Sequence, residues 1–286
     1  MIIGKKNIGD SEPAYLIGEI GLNHNGDINI AKKLIDAACE AKLDAVKFQK
    51  RTPELVVPIE QRDIERDTPW GRMTYMDYRY KVEFGHKEYI EIDEYCKKKN
   101  IDWFASPWDI ESVEFLEQFK PVCYKIASAC ATDLNLIKYI AAKKRAIILS
   151  TGMCTTNQIE AAVNAIGDID HGILHCTSTY PSIAKEVNLS MISTLKKQYD
   201  CPVGYSGHET GLQITCASIA FGANIVERHI TLDRSMWGSD QAASVEPWGL
   251  NKLVRDIRII EEAIGDGVKK VYDSELPIMN KLRMKN

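Results

Sequence analysis

The chain has 286 residues, a length that suits one large α/β domain or two smaller domains. Hydrophobic residues make up 45% of it and charged residues 27%, so a sizeable apolar core can form. The 40 acidic residues outnumber the 36 basic ones and give a net charge of −4, which argues against a nucleic-acid-binding protein or a basic membrane-surface protein.

No apolar run approaches the roughly 20 residues of a membrane span, and the first residues lack the apolar core of a secretory signal. We therefore expect a cytoplasmic protein with no membrane partner and no nucleic-acid partner. None of the eight cysteines forms a C-x-x-C pair, which argues against a structural zinc site. Because most of them lie in apolar runs, they are predicted to be reduced, small core residues.

The predicted elements begin with a short hairpin in the first 13 residues, which contain Gly4, Gly9 and Pro13 and are expected to close one end of the fold. Short apolar runs then alternate with segments of helical periodicity. Predicted strands lie at residues 16–20, 45–49, 103–107, 122–127, 146–150, 172–176, 202–205 and 224–229. The first predicted helix has Asp27 as its N-cap, and the others lie at 87–99, 110–119, 133–143, 156–166, 188–198, 211–221 and 248–264.

Strict alternation of strand and helix predicts a parallel sheet, because parallel neighbours need helical crossovers. Eight units in about 250 residues favour a single-domain (β/α)8 TIM barrel over residues 1–286, with an open, doubly wound sheet as the alternative. The stretch 51–84 breaks the rhythm and is too long for a simple turn. We expect it to form a wall or lid of an active site.

Two lysines lie within apolar strands, Lys47 between Val46 and Phe48 and Lys125 between Tyr124 and Ile126. A charged side chain cannot easily be buried there without a partner. Either both lysines reach a phosphate or carboxylate at the barrel mouth, or each pairs with a Glu or Asp inside the barrel. Hydroxyls that could bind phosphate oxygens lie near the ends of four strands: Ser106, Ser128, Ser150 and Ser206.

Two histidines, His208 and His229, close successive strands near Glu227 and Asp240. Two neutral imidazoles completed by substrate and water would give a divalent metal site with open positions, although both histidines could instead be structural. Glu19 closes the first strand in an apolar run, and partial burial would raise its pKa and suit it to proton transfer. The alternative for Glu19 is a structural carboxylate bonded to the following Gly-rich loop.

Longer motifs resemble the sialic acid synthase family, the phosphoenolpyruvate-dependent synthases of nonulosonic acids. They are IGEIGLNHNGDINIAKKLIDAACEAKLDAVKFQ, FASPWD, YKIAS, LSTGM, LHCTSTYP, GYSGHETG and ERHITLDRSMWGSDQAASVEP, and they span about residues 15–250. The resemblance implies a (β/α)8 barrel enzyme that condenses phosphoenolpyruvate with an aldose, N-acetylmannosamine in the best-known members. It also implies a divalent metal, manganese or magnesium in most cases, with cobalt or zinc as further candidates.

The resemblance also implies roles for individual residues. His208 and His229 would be the metal ligands, and Glu19, Lys47 and Lys125 the catalytic residues. The residues implied in phosphoenolpyruvate binding are Lys47, Ser106, Lys125, Ser128, Ser150, Ser178 and Ser206. Tyr180 and Asp240 would contact the acceptor sugar.

Several positions depart from the family pattern. Ser178 stands where the family often has asparagine, Gly207 replaces a common aspartate, and residues 237–239 replace a Pro-Gly-Pro turn. We expect no C-terminal antifreeze-like domain, a departure that leaves room for an aldose other than N-acetylmannosamine, including a phosphorylated sugar. Arg72 and Arg79 in the long loop would then bind acceptor oxygens or a phosphate, unless they are only solvated surface.

Two other functions fit the same sequence. One is a 3-deoxy-octulosonate-phosphate-type synthase that uses a pentose phosphate. The other is a non-catalytic, sugar-binding paralogue, which the joint presence of the two lysines, the two histidines and Glu19 disfavours. The expected partners are the small-molecule substrates and further copies of the chain, in a homo-oligomer formed through barrel helices.

Overall fold

A computed structural model describes residues 1–284 of the chain. Eight parallel strands form one sheet that curls into a nearly closed barrel, as predicted. The strands are β1 (Tyr15–Gly21), β2 (Ala45–Lys50), β3 (Asp102–Pro107), β4 (Tyr124–Ile126), β5 (Ile147–Ser150), β6 (His171–Cys176), β7 (Val203–Gly207) and β8 (Ile225–His229). Ladder pairing runs from β3 through β2, β1, β8, β7, β6 and β5 to β4, so β3 and β4 are the two edges of the sheet.

Eight main helices follow the strands in turn. They are α1 (Ile28–Glu40), α2 (His86–Lys99), α3 (Ile110–Glu117), α4 (Leu134–Ala141), α5 (Thr156–Ile166), α6 (Ser190–Gln198), α7 (Gln213–Ala220) and α8 (Pro247–Ile264). The predicted cap of α1 is confirmed, because the Asp27 side chain accepts a hydrogen bond of 2.7 Å from the Asn29 backbone N–H. Shorter helical segments lie at Ala184–Val187 and Leu276–Leu282, and 3₁₀ turns at Ser128–Cys130, Gln241–Ala243 and Asp273–Glu275.

The apolar core has two layers, which is why both faces of most strands are apolar. The larger layer lies between the barrel and the helices and contains residues such as Leu34 and Ile140. The smaller layer fills the barrel interior around Phe104 and Leu174. This inner layer occupies the amino-terminal half of the barrel, so the polar residues of the carboxyl ends lie above an apolar floor.

The predicted N-terminal hairpin is confirmed. Strands Ile2–Ile3 and Lys6–Asn7 pair in antiparallel fashion. Ile3 and Ile8 are buried in the interior layer of the core. The hairpin therefore closes the amino-terminal end of the barrel, opposite the end where the polar side chains lie.

The stretch 51–84 is not a structureless loop. It folds into helices Pro53–Val56, Ile59–Arg62 and Tyr75–Val82 and an antiparallel pair, Glu65–Thr68 with Gly71–Thr74. The rings of Trp70 and Tyr78 pack edge-on against Trp237, at centroid distances of 5.9 and 5.0 Å. These contacts hold the segment against the loop after β8, at the carboxyl ends of the strands.

Among residues 1–284, no helix combines the length and the apolar character that crossing a membrane would require.

Candidate active site

A cavity of about 270 Å³ opens at the carboxyl ends of the barrel strands. This is the end at which (β/α)8 enzymes place their reactive groups. Ten of the residues singled out from the sequence line it, namely Glu19, Lys47, Lys125, Ser128, Ser150, Ser178, Tyr180, Ser206, His208 and His229. The other lining residues are Gln49, Trp108, Ala127, Ala129, Met153, Cys176 and Glu227.

One row of the site follows directly from the strand register. Glu19 on β1 stands opposite Lys47 on β2 and opposite His229 on β8, so the three side chains point to the same side of the sheet. The Lys47 Nζ atom lies 2.8 Å from Glu19 Oε2 and donates a hydrogen bond of 3.1 Å to Ser106 Oγ. Gln49 Nε2 donates a hydrogen bond of 2.7 Å to the other oxygen of Glu19.

The second row centres on Glu227, whose Oε1 atom lies 3.8 Å from Lys47 Nζ and 3.8 Å from Lys125 Nζ. The Ser206 hydroxyl donates a hydrogen bond of 3.2 Å to the same oxygen. Lys125 also donates a 2.6 Å hydrogen bond to Ser150 Oγ. Each ammonium group therefore pairs with a carboxylate inside the barrel, as the second alternative predicted, and each also lines the cavity.

The surroundings of Glu19 and Glu227 shift the pKa values of these two carboxyl groups in opposite directions. Burial is the main influence on Glu19 and raises its pKa; the nearby Glu227 carboxylate adds to this effect, while Lys47 and the hydrogen bond from Gln49 oppose it. For Glu227, burial is outweighed by Lys125 and Lys47, which lower its pKa. Burial also lowers the pKa of Lys125. Glu19 is thus the carboxyl group suited to proton exchange, and Glu227 is a fixed negative charge.

The wall opposite Glu19 is formed by small polar groups. The Ser128 hydroxyl accepts a hydrogen bond of 3.0 Å from the Gly152 N–H, and its oxygen lies 3.6 Å from Cys176 Sγ. Cys176 Sγ also lies 3.7 Å from the Ser178 hydroxyl and 3.7 Å from His208 Nδ1. A Cβ atom at Gly152 would collide with both serine hydroxyls, so a side chain there would close this part of the cavity.

The two histidines lie side by side, with ring centroids 5.5 Å apart. His208 Nδ1 lies 2.8 Å from the Thr177 carbonyl oxygen, which can only accept, so Nδ1 carries the proton and Nε2 is free to bind a ligand. Burial lowers the pKa of His229 to about 4, which keeps its imidazole neutral at pH 7.

The histidine pair fits an incompletely coordinated divalent metal ion. The buried Nδ1 atom of His229 has no hydrogen-bond partner within residues 1–284, and the carboxylate of Asp240 lies 3.9 Å away from it. Over the same range, no cluster of three or more His, Cys, Asp or Glu side chains is arranged to hold a metal ion. The protein would therefore supply two nitrogen ligands, and oxygen atoms of substrate and water would complete the coordination.

The remaining predicted residues lie around this centre. The Tyr180 ring packs on His208 at a centroid distance of 4.0 Å. Ser106 is fully buried beneath Lys47 and does not line the cavity. Asp240 also lies outside the cavity lining, although it approaches His229. The structure thus places ten of the twelve predicted residues in the wall, and each of the other two lies close to a wall residue, Ser106 to Lys47 and Asp240 to His229.

Sequence reasoning assigned no functional role to the other seven lining residues, four of which carry groups that can form hydrogen bonds: Gln49, Trp108, Cys176 and Glu227. Cys176 was expected to be only a core residue, and Glu227 was noted only as a neighbour of the histidines. A usable signal did exist for Glu227, because it lies two residues before His229 on the same strand and alternate strand residues share a face. Gln49 stands in the same relation to Lys47.

Comparison with known proteins gives a consistent result. The NeuB family matches residues 34–269. An N,N'-diacetyllegionaminic acid synthase from Campylobacter jejuni is 39% identical, over 94% of this chain and 82% of that protein. An N-acetylneuraminate-9-phosphate synthase from Homo sapiens is 36% identical, over 96% of this chain and 78% of that protein. The chain belongs to the NeuB family.

Among solved structures, an N-acetylneuraminic acid (sialic acid) synthetase from Leptospira borgpetersenii in complex with citrate has a TM-score of 0.87 and 35% identity to this chain. The match covers 100% of this chain and 98% of that one. The predicted resemblance to the sialic acid synthase family is therefore confirmed, and with it the (β/α)8 barrel and the prediction that the chain is an enzyme.

Proposed function

We propose that this NeuB-family enzyme condenses phosphoenolpyruvate with an aldose to give a 2-keto-3-deoxy sugar acid and inorganic phosphate. The observation that carries the proposal is the convergence of Lys47 and Lys125 on one carboxylate, that of Glu227, in a cavity wall that also contains the imidazoles of His208 and His229. A site for a small, strongly anionic molecule next to a carbonyl-activating centre needs this combination of groups.

Phosphoenolpyruvate would be held by the lysines and the surrounding hydroxyls. Its phosphate and carboxylate oxygens can accept hydrogen bonds from the two ammonium groups and from Ser128, Ser150, Ser178 and Ser206. Ser106 would act indirectly by fixing the Lys47 side chain. Fixing the orientation of two reactants in this way can lower the activation free energy of the condensation by about 7 to 11 kcal/mol.

In the reaction, C3 of phosphoenolpyruvate attacks the aldehyde carbon of the open-chain sugar and forms the new C–C bond. The aldehyde oxygen gains a proton and becomes a hydroxyl group. Water adds to the oxocarbenium-like C2 and loses a proton. The C2–O bond to the phosphate then breaks while the new C2 hydroxyl loses its proton to the departing phosphate, which leaves a ketone at C2 and releases inorganic phosphate. The atoms of phosphoenolpyruvate, aldose and one water are all accounted for in the two products.

Glu19 is the residue that we assign to proton transfer at C2. Its raised pKa brings the carboxyl group closer to neutrality, where it can exchange a proton efficiently. Gln49 and Lys47 hold the two carboxyl oxygens in place. Tyr180 and Asp240 flank the histidines and would contact the acceptor sugar.

His208 and His229 are the residues that would hold a divalent metal ion, manganese or magnesium by preference and cobalt or zinc as further candidates. When bound, such an ion supplies Lewis-acid polarisation of the acceptor's carbonyl oxygen. An imidazole binds a metal ion in its neutral form, and the Thr177 carbonyl fixes the orientation of His208.

The names of the relatives guide the choice of acceptor. The human relative is a synthase of a 9-phosphorylated acid and the Campylobacter relative is a synthase of a diacetylated acid without phosphate in its name. N-acetylated amino sugars, with and without a phosphate, are therefore the first acceptors to test. A pentose phosphate is a useful comparison, because it would indicate the octulosonate-type reaction instead.

The test is release of inorganic phosphate from phosphoenolpyruvate in the presence of each aldose, with EDTA-treated enzyme and with added divalent metal. We expect release that depends on both the aldose and the metal, and no release with His208→Ala at any metal concentration. Absence of aldose-dependent release under every metal would refute the synthase function, and sugar binding without turnover would support a non-catalytic role. Full metal-dependent activity in His208→Ala would refute the assignment of the metal ligand.

A further inference from the structure

Two arginines of the segment 51–84 lie buried beside the cavity and are not used by the proposed reaction. Arg51 follows β2 directly, and Arg79 lies on the helix Tyr75–Val82. Their exposed fractions are 7% and 6%, respectively. Arginine is almost never buried to this degree without a partner, so the surroundings of both guanidinium groups need an explanation.

Arg51 is attached to the cavity wall. Its guanidinium group stacks on the Trp108 ring, with 4.0 Å between its central carbon and the ring centroid, and it donates a hydrogen bond to Gln49. Both Trp108 and Gln49 line the cavity. Since Gln49 also donates to Glu19, a continuous polar row leads from Lys47 through Glu19 and Gln49 to Arg51.

Both arginines keep unused donors. Arg51 Nη1 and Arg79 Nε are buried, and within residues 1–284 neither has a hydrogen-bond partner. A buried donor without a partner destabilises the folded state, most strongly when it belongs to a charged group. An anion placed against the two guanidinium groups would satisfy these donors.

The charged groups around Arg51 and Arg79 do not neutralise the two guanidinium groups. After burial, the neighbouring Arg79 is the strongest influence that lowers the pKa of Arg51, to about 10. Glu83 is the nearest carboxylate: its Oε1 atom accepts hydrogen bonds from Lys50 and from the Arg51 backbone, and its buried Oε2 atom has no hydrogen-bond partner within residues 1–284. Over the same range, neither guanidinium group forms a salt bridge with Glu83, which instead pairs with Lys50, so the two arginines have no carboxylate in direct contact.

We propose that Arg51 and Arg79 form an anion site for a phosphate group on the acceptor sugar, at the end of the molecule remote from its aldehyde. This inference rests on the proposed condensation reaction and names its acceptor class as a sugar phosphate. Guanidinium groups suit a phosphate because their planar N–H donors match its oxygens in pairs. The polar row from Lys47 to Arg51 places this site beside the same cavity, next to the lining residues Gln49 and Trp108.

The experiment compares N-acetylmannosamine with N-acetylmannosamine 6-phosphate in the phosphate-release assay. The test variant is Arg79→Met, which removes the charge and keeps much of the side-chain volume. The matched control is Arg72→Met, because Arg72 lies in the same segment but is exposed and paired with Glu65 at the surface. Thermal unfolding of each variant, together with Arg79→Lys, separates loss of the site from loss of the fold.

We expect Arg79→Met to lower kcat/KM for the phosphorylated acceptor by at least about 30-fold, the lower end for removing one partner of a buried charge pair. The value for the unphosphorylated sugar should change by less than about 3-fold, Arg79→Lys should recover part of the loss, and Arg72→Met should leave both values unchanged. Equal use of both acceptors, unaffected by Arg79→Met, would overturn the anion site and leave the synthase function standing. No turnover with any aldose would instead refute the proposed function itself.

Discussion

Replacing Glu227 with glutamine would remove the carboxylate that both buried lysines contact. Each ammonium group lies 3.8 Å from the same oxygen, so the two nitrogen atoms are no more than about twice that distance apart. At an effective dielectric constant of about 20, each attraction is on the order of 4 kcal/mol before desolvation is considered. Loss of one partner from a buried charge network destabilises proteins by about 3 to 5 kcal/mol.

For a chain of 286 residues with an unfolding entropy of about 2.1 cal/mol/K per residue, that loss corresponds to a fall in melting temperature of about 5–8 °C. The assay is thermal unfolding of the wild type and of Glu227→Gln, each with and without inorganic phosphate. We expect phosphate to stabilise the variant more than the wild type, because in the variant it supplies the missing negative charge without competing with a carboxylate. Raising the pH should narrow the difference in melting temperature between the variant and the wild type. Burial already lowers the pKa of Lys125, and its deprotonation removes the repulsion between Lys125 and Lys47.

The control is Glu209→Gln, which disrupts another buried ion pair. Glu209 Oε1 lies 3.1 Å from Arg228 Nη1, and neither residue lines the cavity. This variant should lose stability to a similar extent and should gain no more from phosphate than the wild type does. A variant at Glu227 that melts at the wild-type temperature, or that gains no extra stability from phosphate, would refute the reasoning about the lysine pair.

Three further predictions test the proton-transfer residue and two features of the first βα unit. Glu19→Gln should lower kcat for phosphate release by about 10²- to 10⁴-fold with little change in the KM for phosphoenolpyruvate, whereas a proportional rise in KM would indicate a purely binding role. Burial lowers the pKa of His24 to about 3, so the stability linked to its neutral form is full above its unfolded pKa of about 6.5 and is lost as the pH falls towards 3. In urea unfolding, the free energy of unfolding should therefore fall between pH 7.5 and pH 5 in the wild type. This fall should be about 2 kcal/mol smaller in His24→Gln. Asp27→Ala removes the cap of α1 and should lower the free energy of unfolding by about 1 kcal/mol in the same assay, and an unchanged value would show that the cap hydrogen bond contributes nothing.

Much of the barrel could be predicted because its signals are local. A strand buried on both faces is a short apolar run, and an amphipathic helix repeats its apolar residues every three or four positions. The predicted strand at 122–127 was too long, since only Tyr124–Ile126 pairs in the sheet and a 3₁₀ turn begins at Ser128. Hydrophobicity alone does not reveal where a strand stops pairing, because that depends on the neighbouring strands.

The stretch 51–84 shows the limit of local signals most clearly. Its sequence has no long run of either periodicity, so its four-part structure depends on contacts such as those of Trp70 and Tyr78 with Trp237. Arg72 and Arg79 in this stretch looked equivalent in sequence, yet Arg72 lies at the surface and Arg79 is buried.

By itself, the sequence determined the alternation of strands and helices and the kinds of side chain at the strand ends, because both depend on residues close together in the chain. Only the tertiary structure decided that Lys47 and Lys125 share Glu227, that Cys176 faces the cavity, and that two arginines lie buried at its edge. These facts depend on strand register and on contacts between segments far apart in sequence. Burial and charge pairing arise from those long-range contacts, and no local pattern of residues records them.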